Sequence, residues 1–238
     1  MNCSICDTSD IAAFVEKDQW KFYKCKKCDF VFLNPMPTQS ELNALYSNER
    51  GITSDHYPKA SSRKSRAWRR ALRLLPWIFG KSVFDLGCGG GFMVNAFQTF
   101  SASASGLDIN DTAVQYACSH FPRCNFYSSS FHVFQPTETY DFIYSSELIE
   151  HVRELEIYMQ VIKRLSHAGS YVYITTPDIG SKKVPTTITE WDVFSPPHHV
   201  QFFKESNLEL LFRRHGFKQL KRFSDKKAGL KVLFERAA

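Results

Sequence analysis

The sequence predicts an α/β fold: a doubly wound, mostly parallel sheet closed by an antiparallel hairpin, behind a small cysteine-rich N-terminal ribbon. Three observations predict it. From about residue 80, short apolar strands alternate with helical segments, the rhythm of consecutive β–α units. The last two strand-like segments, FKQLKRF and LKVLFER, have no helix between them. Two matched CxxC turns open the chain.

The ribbon comes first. Cys3-x2-Cys6 and Cys25-x2-Cys28 each set two thiolates where one tetrahedral ion can take both. The intervening FVEKDQWKFYKC reads as a β-hairpin ending in the second knuckle. With four protein ligands a zinc ion has no open position, so its expected role is structural; a redox dithiol pair is the alternative. Cys88, Cys118 and Cys124 share no spacing and are expected to be small packing residues. After the ribbon, NPMPTQSELNALYSNE predicts a turn and a short helix capped by Thr38 or Ser40. Residues 47–62 are polar and irregular, as in a connector or lid. In SRKSRAWRRALRLLPW, Ala67, Ala71, Leu74 and Leu75 fall at roughly helical spacing, so an amphipathic helix is expected there. These boundaries give a ribbon over 1–34, a helical linker or lid over 35–75 and an α/β domain over 76–238.

In that domain the strand SVFDL (82–86) runs into GCGGGF and then the helical MVNAFQTF. Glycines at a strand-to-helix turn let the backbone bend sharply and approach a ligand. The next strand, SASGLDI, carries Asp108 near its end, placed to accept hydrogen bonds from ribose hydroxyls. Helix DTAVQYACSHF, strands NFY (125–127) and YDFIYS (140–145), helix ELEIYMQVIKRL (154–165) and strand SYVYITT (170–176) follow. A helix over KESNLELLFRRHG precedes the closing hairpin, with His215 in its last turn, where a cation is favoured, before a glycine C-cap.

VFDLGCGGGF resembles the first motif of class I S-adenosylmethionine-dependent methyltransferases, a hydrophobic strand followed by DxGxGxG. The resemblance covers roughly residues 70–236 and implies a Rossmann-like seven-stranded sheet with the antiparallel hairpin at its end. It further implies that Gly87, Cys88, Gly89 and Gly91 line the methionine side of S-adenosylmethionine, with Asp85 near its amino group. Asp108 and Ile109 would hold the ribose, Ser129, Ser130 and Phe131 the adenine edge, and Ser145 and Ser146 would touch the cofactor from the fourth strand. NAD(P) is the alternative cofactor, but Phe92 stands where GxGxxG needs its last glycine. The front end, with KCxxCxFVFLNPMPT and later FSPPHHVQFF, is similar to bacterial zinc-ribbon methyltransferases of cell-surface sugar and secondary-metabolite pathways.

In YSSELIEHV, Glu147, Glu150 and His151 have i, i+3, i+4 spacing, which on a helix shares one face. Acids in a first helical turn are favoured by the macrodipole, so an ordinary helix start is one possibility. Glu-x-x-Glu-His also resembles the metal-binding element of ubiquinone-pathway O-methyltransferases and small-RNA 2′-O-methyltransferases. The RNA enzymes add a distant histidine, for which PPHHV offers His198 and His199. Carboxylates plus imidazole suit Mg²⁺ or Mn²⁺, or Fe²⁺ or Zn²⁺; without metal, His151 or His199 could act as general base.

The chain of 238 residues is 43% hydrophobic and 23% charged, with 21 Phe and a net charge of +6, ordinary for a globular enzyme. No apolar run approaches the ~20 residues of a membrane span, and MNCSICDTSD has no secretory pattern, so a cytoplasmic location is expected. Basic clusters lie in 63–73 and 218–231. These expectations converge on methyl transfer to a small-molecule hydroxyl, of a sugar or related metabolite. RNA methylation, drawing on the basic segments, and a non-catalytic zinc-binding interaction module are the alternatives. Nothing in the sequence fixes the oligomeric state.

Overall fold

The computed structural model of the protein describes residues 1–38, 40–42 and 52–238. Strands β1 (Ile11–Lys17), β2 (Trp20–Cys25) and β3 (Val31–Leu33) come first. Then follow α1 (Ala60–Ile78), β4 (Ser82–Leu86), α2 (Phe92–Gln98), β5 (Ser103–Asp108), α3 (Asp111–His120), β6 (Asn125–Ser128) and β7 (Tyr140–Ser146). The chain ends with α4 (Leu155–Leu165), β8 (Ser166–Pro177), β9 (Gln201–Phe202), α5 (Glu205–Arg214), β10 (Phe217–Arg222) and β11 (Gly229–Arg236). The seven-stranded sheet has the order β10-β11-β8-β7-β4-β5-β6 and a four-stranded sheet the order β1-β2-β3-β9. The strand order reverses at β4, the switch point at which open α/β sheets take their ligands.

The residues divide into two compact units. One comprises residues 46–145 and 160–173. Here β4 pairs in parallel with β5 on one side and β7 on the other, and its last four residues are buried, as expected of a central parallel strand. The amphipathic helix is α1, which buries Ala67, Ala71, Leu74 and Ile78 and packs against α2. Its basic residues Arg63, Lys64, Arg66, Arg69, Arg70 and Arg73 are exposed, the solvated face that its periodicity implies. Phe84, Phe97, Phe142 and Tyr144 fill the core, with Phe97 5.3 Å from Tyr144 in an edge arrangement.

The other unit comprises residues 1–45, 146–159 and 174–237. The expected hairpin is β1–β2, in antiparallel register from Ile11–Cys25 to Lys17–Trp20. It grows into a four-stranded sheet because β3 follows the second knuckle and β9 pairs with β3. β9 has no signature in the sequence: two residues cannot show a period. Phe22, Phe30, Val31, Leu33, Phe194, Phe202 and Phe203 form the core of this sheet. At the far end, β10 and β11 form the antiparallel hairpin, with an irregularity between Gln219 and Lys221. His215 caps α5, Gly216 follows at φ +87°, and the His215 imidazole lies 3.6 Å from Glu156.

Of two local expectations, one is narrowed and one changes. Thr38 is the cap of the short helix: its hydroxyl accepts from the Glu41 N–H, and the Glu41 carboxylate accepts from the Thr38 N–H. The remainder of the segment expected to be helical, 43–49, and residues 47–51 of the connector expected over 47–62 lie outside the described residues. The segment after β7 is not an α-helix. Glu147 sits at φ +53° and only Ile149–His151 form a single 3-10 turn, so the i, i+3, i+4 spacing does not place three side chains on one face.

Candidate active site

The side expected to hold the methyl donor is built on β4. Asp85, near its end, is 3% exposed. The chain then turns through Gly87, Gly89 and Gly91 at φ +85°, +49° and +74°, the left-handed region that glycine adopts without strain. The Gly87 and Cys88 N–H groups both donate to the Leu107 carbonyl of β5, at 2.8 and 2.9 Å. The Gly89 N–H donates to Asp108 Oδ2 at 2.7 Å and the Asn110 N–H to Oδ1 at 2.9 Å. Asp108 therefore ties the glycine loop to the end of β5. Cys88 is buried, and a Cβ on Gly106 would come within 2.7 Å of its Cβ, so its thiol packs against β5 while its backbone shapes the turn.

Ile109 beside Asp108 is 44% exposed. The Ser129 N–H donates to the Asp108 carbonyl at 3.0 Å, and the Ser130 carbonyl accepts from Phe134, which brings Ser129–Phe131 to the end of β5. Ser145 pairs with Leu86 in the β4–β7 ladder and is buried. Tyr57 was not singled out by the sequence: it lies in a polar stretch with no periodicity. Its buried ring covers the loop, so that a Cβ on Gly90 would meet it at 2.5 Å, and it packs edge-on against Phe92 and at a tilt against Tyr116.

Burial pushes the Asp85 carboxyl up to about 8, with repulsion from Asp108 adding and the Arg70 guanidinium opposing. Between the ordinary carboxyl value and 8 the folded chain therefore holds a proton that the unfolded chain has lost. Stability from this group is highest at acid pH and falls as pH rises through that window, by up to about 1.4 kcal/mol per pH unit. Urea midpoints at pH 5 and pH 8 should differ in that direction, and Asp85→Asn should flatten its share of the slope. An equal slope in the variant would show that Asp85 is not the cause.

The glycine cradle and the acid at the end of β5 fit S-adenosylmethionine. Only glycines allow this backbone approach, and a near-neutral buried carboxyl is poised to ionise against an incoming ammonium.

The second cluster lies in the unit that carries the ribbon. Glu147, exposed, donates its N–H to the Thr175 carbonyl at 2.8 Å and accepts the Thr175 hydroxyl at 2.8 Å. The Ser146 hydroxyl lies 2.7 Å from that of Thr175. Glu150 is fully buried. Its Oε2 accepts from the Thr176 hydroxyl at 2.9 Å, while Oε1 has no hydrogen-bond partner among the described residues. Burial, with Glu147 as a secondary cause, pushes this carboxyl up to about 8.

The two imidazoles are arranged alike. His151 Nδ1 lies 2.7 Å from the His198 carbonyl, and His199 Nδ1 lies 2.7 Å from the Val193 carbonyl. A carbonyl only accepts, so each Nδ1 carries the proton and each Nε2 is the unprotonated ring nitrogen. Burial, then His199, lowers the His151 value to about 4, and burial lowers that of His199. Both rings are therefore neutral near pH 7, with centroids 4.6 Å apart. Glu150, His151 and His199 offer ligand atoms all within 4.8 Å of one another. Of the residues expected to converge, His199 joins the cluster; the His198 side chain is exposed and contributes its carbonyl. Glu147 is held by Thr175 beside the group and is not in it.

In the ribbon, the Cys3 and Cys28 sulfurs lie 3.6 Å apart and the Cys6 and Cys25 sulfurs 3.5 Å, and all four cysteines are free thiols. All four come within 4.8 Å of one another. The two knuckles repeat as CxxCD: Asp7 and Asp29 sit at φ +60° and +62°, and each donates its N–H to the first cysteine's carbonyl at 2.9 Å. That repeat is visible in the sequence as CSICD and CKKCD.

A methyltransferase domain family model matches residues 60–221. The chain belongs to the methyltransferase family. Its fold is that of S-adenosylmethionine-dependent methyltransferases of known structure. The human mitochondrial ubiquinone biosynthesis O-methyltransferase is 26% identical over 153 residues, 55% of this chain and 42% of that protein. The ubiquinone biosynthesis O-methyltransferase of Shewanella pealeana is 30% identical over 105 residues, 42% of this chain and 44% of that one. The chain thus spans less than half the length of these relatives. Among solved structures, a complex of the Haloferax volcanii Trm112 activator with a methyltransferase matches with a TM-score of 0.63 at 17% identity, covering 85% of this chain and all of that one. The Synechocystis magnesium protoporphyrin IX methyltransferase with bound S-adenosylhomocysteine matches at 0.57 and 13%, covering 83% and 94%. At these identities the structures share the fold. Among the described residues no helix is long and apolar enough to cross a membrane.

Proposed function

We propose that this methyltransferase methylates a hydroxyl of a small-molecule acceptor, with Glu150, His151 and His199 as the groups that receive that hydroxyl. The observation that carries this reading is the convergence of the two imidazoles and the buried Glu150 carboxyl, whose ligand atoms all lie within 4.8 Å of one another, with Glu150 Oε1 lacking a hydrogen-bond partner among the described residues. Glu147 is the first residue beyond the end of β7, and open α/β sheets take their ligands beyond the carboxyl ends of their strands. The ubiquinone-pathway relatives, named as O-methyltransferases, support a hydroxyl as the acceptor.

When bound, S-adenosylmethionine supplies an electrophilic methyl group on a sulfonium. Asp85 and the loop Gly87–Gly91 would hold its amino-acid end and Asp108 its ribose, with Ile109 and Ser129–Phe131 toward the adenine. On the acceptor side, the chain must orient an O–H and take its proton as the oxygen–carbon bond forms and the carbon–sulfur bond breaks.

The donor set also fits a divalent cation. Two imidazoles and one carboxylate shift the preference from Mg²⁺ toward Mn²⁺, Fe²⁺ or Zn²⁺. An ion there would lower the pKa of a coordinated hydroxyl and satisfy Glu150 Oε1. Methyl transfer to a panel of phenolic and aliphatic hydroxyls, run with and without chelator, tests the reading. Product on RNA alone would sink it.

We assign a structural Zn²⁺ to Cys3, Cys6, Cys25 and Cys28. A tetrahedron with Zn–S of about 2.3 Å has S–S edges of roughly 3.8 Å, close to the two sulfur separations given above. Purified protein should carry about one zinc per chain, and Cys25→Ser should lose it with a lower melting temperature. A metal-free protein of unchanged stability after gentle purification would exclude the assignment.

A further inference from the structure

The ribbon and the acceptor cluster are joined by a short strap of buried backbone. The Leu33 N–H of β3 donates to the Val200 carbonyl at 2.8 Å, and the Val200 N–H donates to the Glu150 carbonyl at 2.9 Å. One residue thus bridges the ribbon sheet and the turn that carries Glu150. Gln201, the next residue, pairs with Phe32 of β3 and is 1% exposed. Its side-chain amide donates to the carbonyls of both Ile149 and Val152, at 2.7 and 2.8 Å. These carbonyls flank the 3-10 turn of Glu150 and His151, so one amide clamps the turn at both ends.

The other half of the cluster is gripped as well. His199 takes its tautomer from the Val193 carbonyl. The neighbouring Phe194 is held by the ribbon twice: its carbonyl accepts from Lys17 Nζ at 2.6 Å, and its ring lies 4.6 Å from that of Phe22. At the knuckles the ribbon is fixed in turn by residues around α5. Asn207 donates to the Cys28 carbonyl at 3.1 Å, Lys204 binds Asp29 at 3.0 Å, and Arg214 reaches the Ile5 carbonyl and Asp7.

We propose that the four-cysteine ribbon is the positioning element of the Glu150–His151–His199 cluster, acting through Val200 and the Gln201 amide. The ribbon is then part of the acceptor site, and the state of its thiolates governs methyl transfer. The donor cradle draws on residues 57–131 instead, so affinity for the methyl donor is spared. This inference rests on the assignment of the cluster to the acceptor.

The test uses Gln201→Met, which keeps the side chain's length and removes its donors, beside Cys25→Ser. Amide exchange is followed by mass spectrometry over peptides spanning 147–153 and 198–203, with S-adenosylhomocysteine affinity and kcat measured in parallel. Loss of the clamp should speed exchange at 149–152 by about tenfold or more. It should lower kcat by about 10²-fold, since small misplacements of reacting groups cost that much, with affinity for S-adenosylhomocysteine unchanged. Cys25→Ser should move the same peptides; if it does not fold, Gln201→Met decides alone. Unchanged exchange at 149–152 in Gln201→Met overturns the proposal, as does exchange that rises across the whole chain together with lost S-adenosylhomocysteine binding. Faster exchange at the turn with full kcat would uphold the strap and instead fail the assignment of the cluster to the acceptor.

Discussion

His151→Ala is expected to lower kcat by about 10²- to 10⁴-fold while leaving affinity for S-adenosylhomocysteine unchanged. The size follows from what the side chain offers. Its Nδ1 proton is donated to the His198 carbonyl, so Nε2 is the ring atom whose lone pair can take a proton or a cation, and alanine removes it. Two roles are open to that atom, and its acidity separates them. An imidazole held at about 4 is a weak proton acceptor at neutral pH, since a general base works best with a pKa near the operating pH. The same low value is no handicap for a ligand, because a proton does not compete with the metal. The pair formed with Glu150 points the same way. A buried carboxyl pushed up to about 8, one oxygen of which has no hydrogen-bond partner among the described residues, is relieved by a cation. Turnover should therefore be abolished by chelation, restored by Mn²⁺ and weakly dependent on pH above about 5. His151→Ala should bind Mn²⁺ at least tenfold more weakly by calorimetry. If chelation leaves wild-type turnover intact while His151→Ala remains inactive, the imidazole acts as a base and His199, less burdened by neighbouring charge, becomes the better candidate.

How much of this was legible depends on how far apart in the chain the cooperating residues lie. The cradle was legible because strand, glycine turn and helix are contiguous, and DLGCGGGF encodes all three within ten residues of one another. The ribbon was legible for the same reason, each knuckle being a local turn, and the closing hairpin because no helix fits between its strands. The acceptor cluster was legible only as an inventory. Glu-x-x-Glu-His named the residue types, but the geometry that selects among them is non-local. Thr175, 28 residues on, takes Glu147 out of the group. The Val193 and His198 carbonyls fix the two imidazoles from more than forty residues beyond the turn. Choosing between His198 and His199 was beyond any spacing argument, since adjacent residues point differently once a tight turn intervenes. Tyr57 and Gln201 were invisible because each acts through contacts distant in the chain, and neither sits in a periodic pattern.

Gly91→Ala is expected to abolish measurable S-adenosylhomocysteine binding and to destabilise the protein by roughly 2–5 kcal/mol. Two costs add at this position. Gly91 caps α2 at φ +74°, where a side chain is strained by about 1–3 kcal/mol. A Cβ there would also lie 2.7 Å from the Phe126 ring on β6 and 2.8 Å from Ala117 on α3, so it cannot be added without moving a strand or a helix. Strain of that size is relieved most easily by letting the loop swing out of the cradle, and binding must then pull it back. Reversing a 3 kcal/mol relaxation costs roughly 10²-fold in affinity. Gly90 is the control. The atoms nearest a Cβ on Gly90 are those of the Tyr57 ring, at 2.5 Å, and Phe92, at 3.1 Å, so the shortest clash lies with a ring that can be removed. Adding Gly90→Ala to Tyr57→Ala should therefore cost little more than Tyr57→Ala itself, whereas Gly91→Ala should be as damaging in that background as alone. Binding isotherms and urea midpoints for these variants form a double-mutant cycle. Rescue of Gly91→Ala by Tyr57→Ala would mean that the loop is shaped by its cover, and that the left-handed turn itself is not what the cofactor needs.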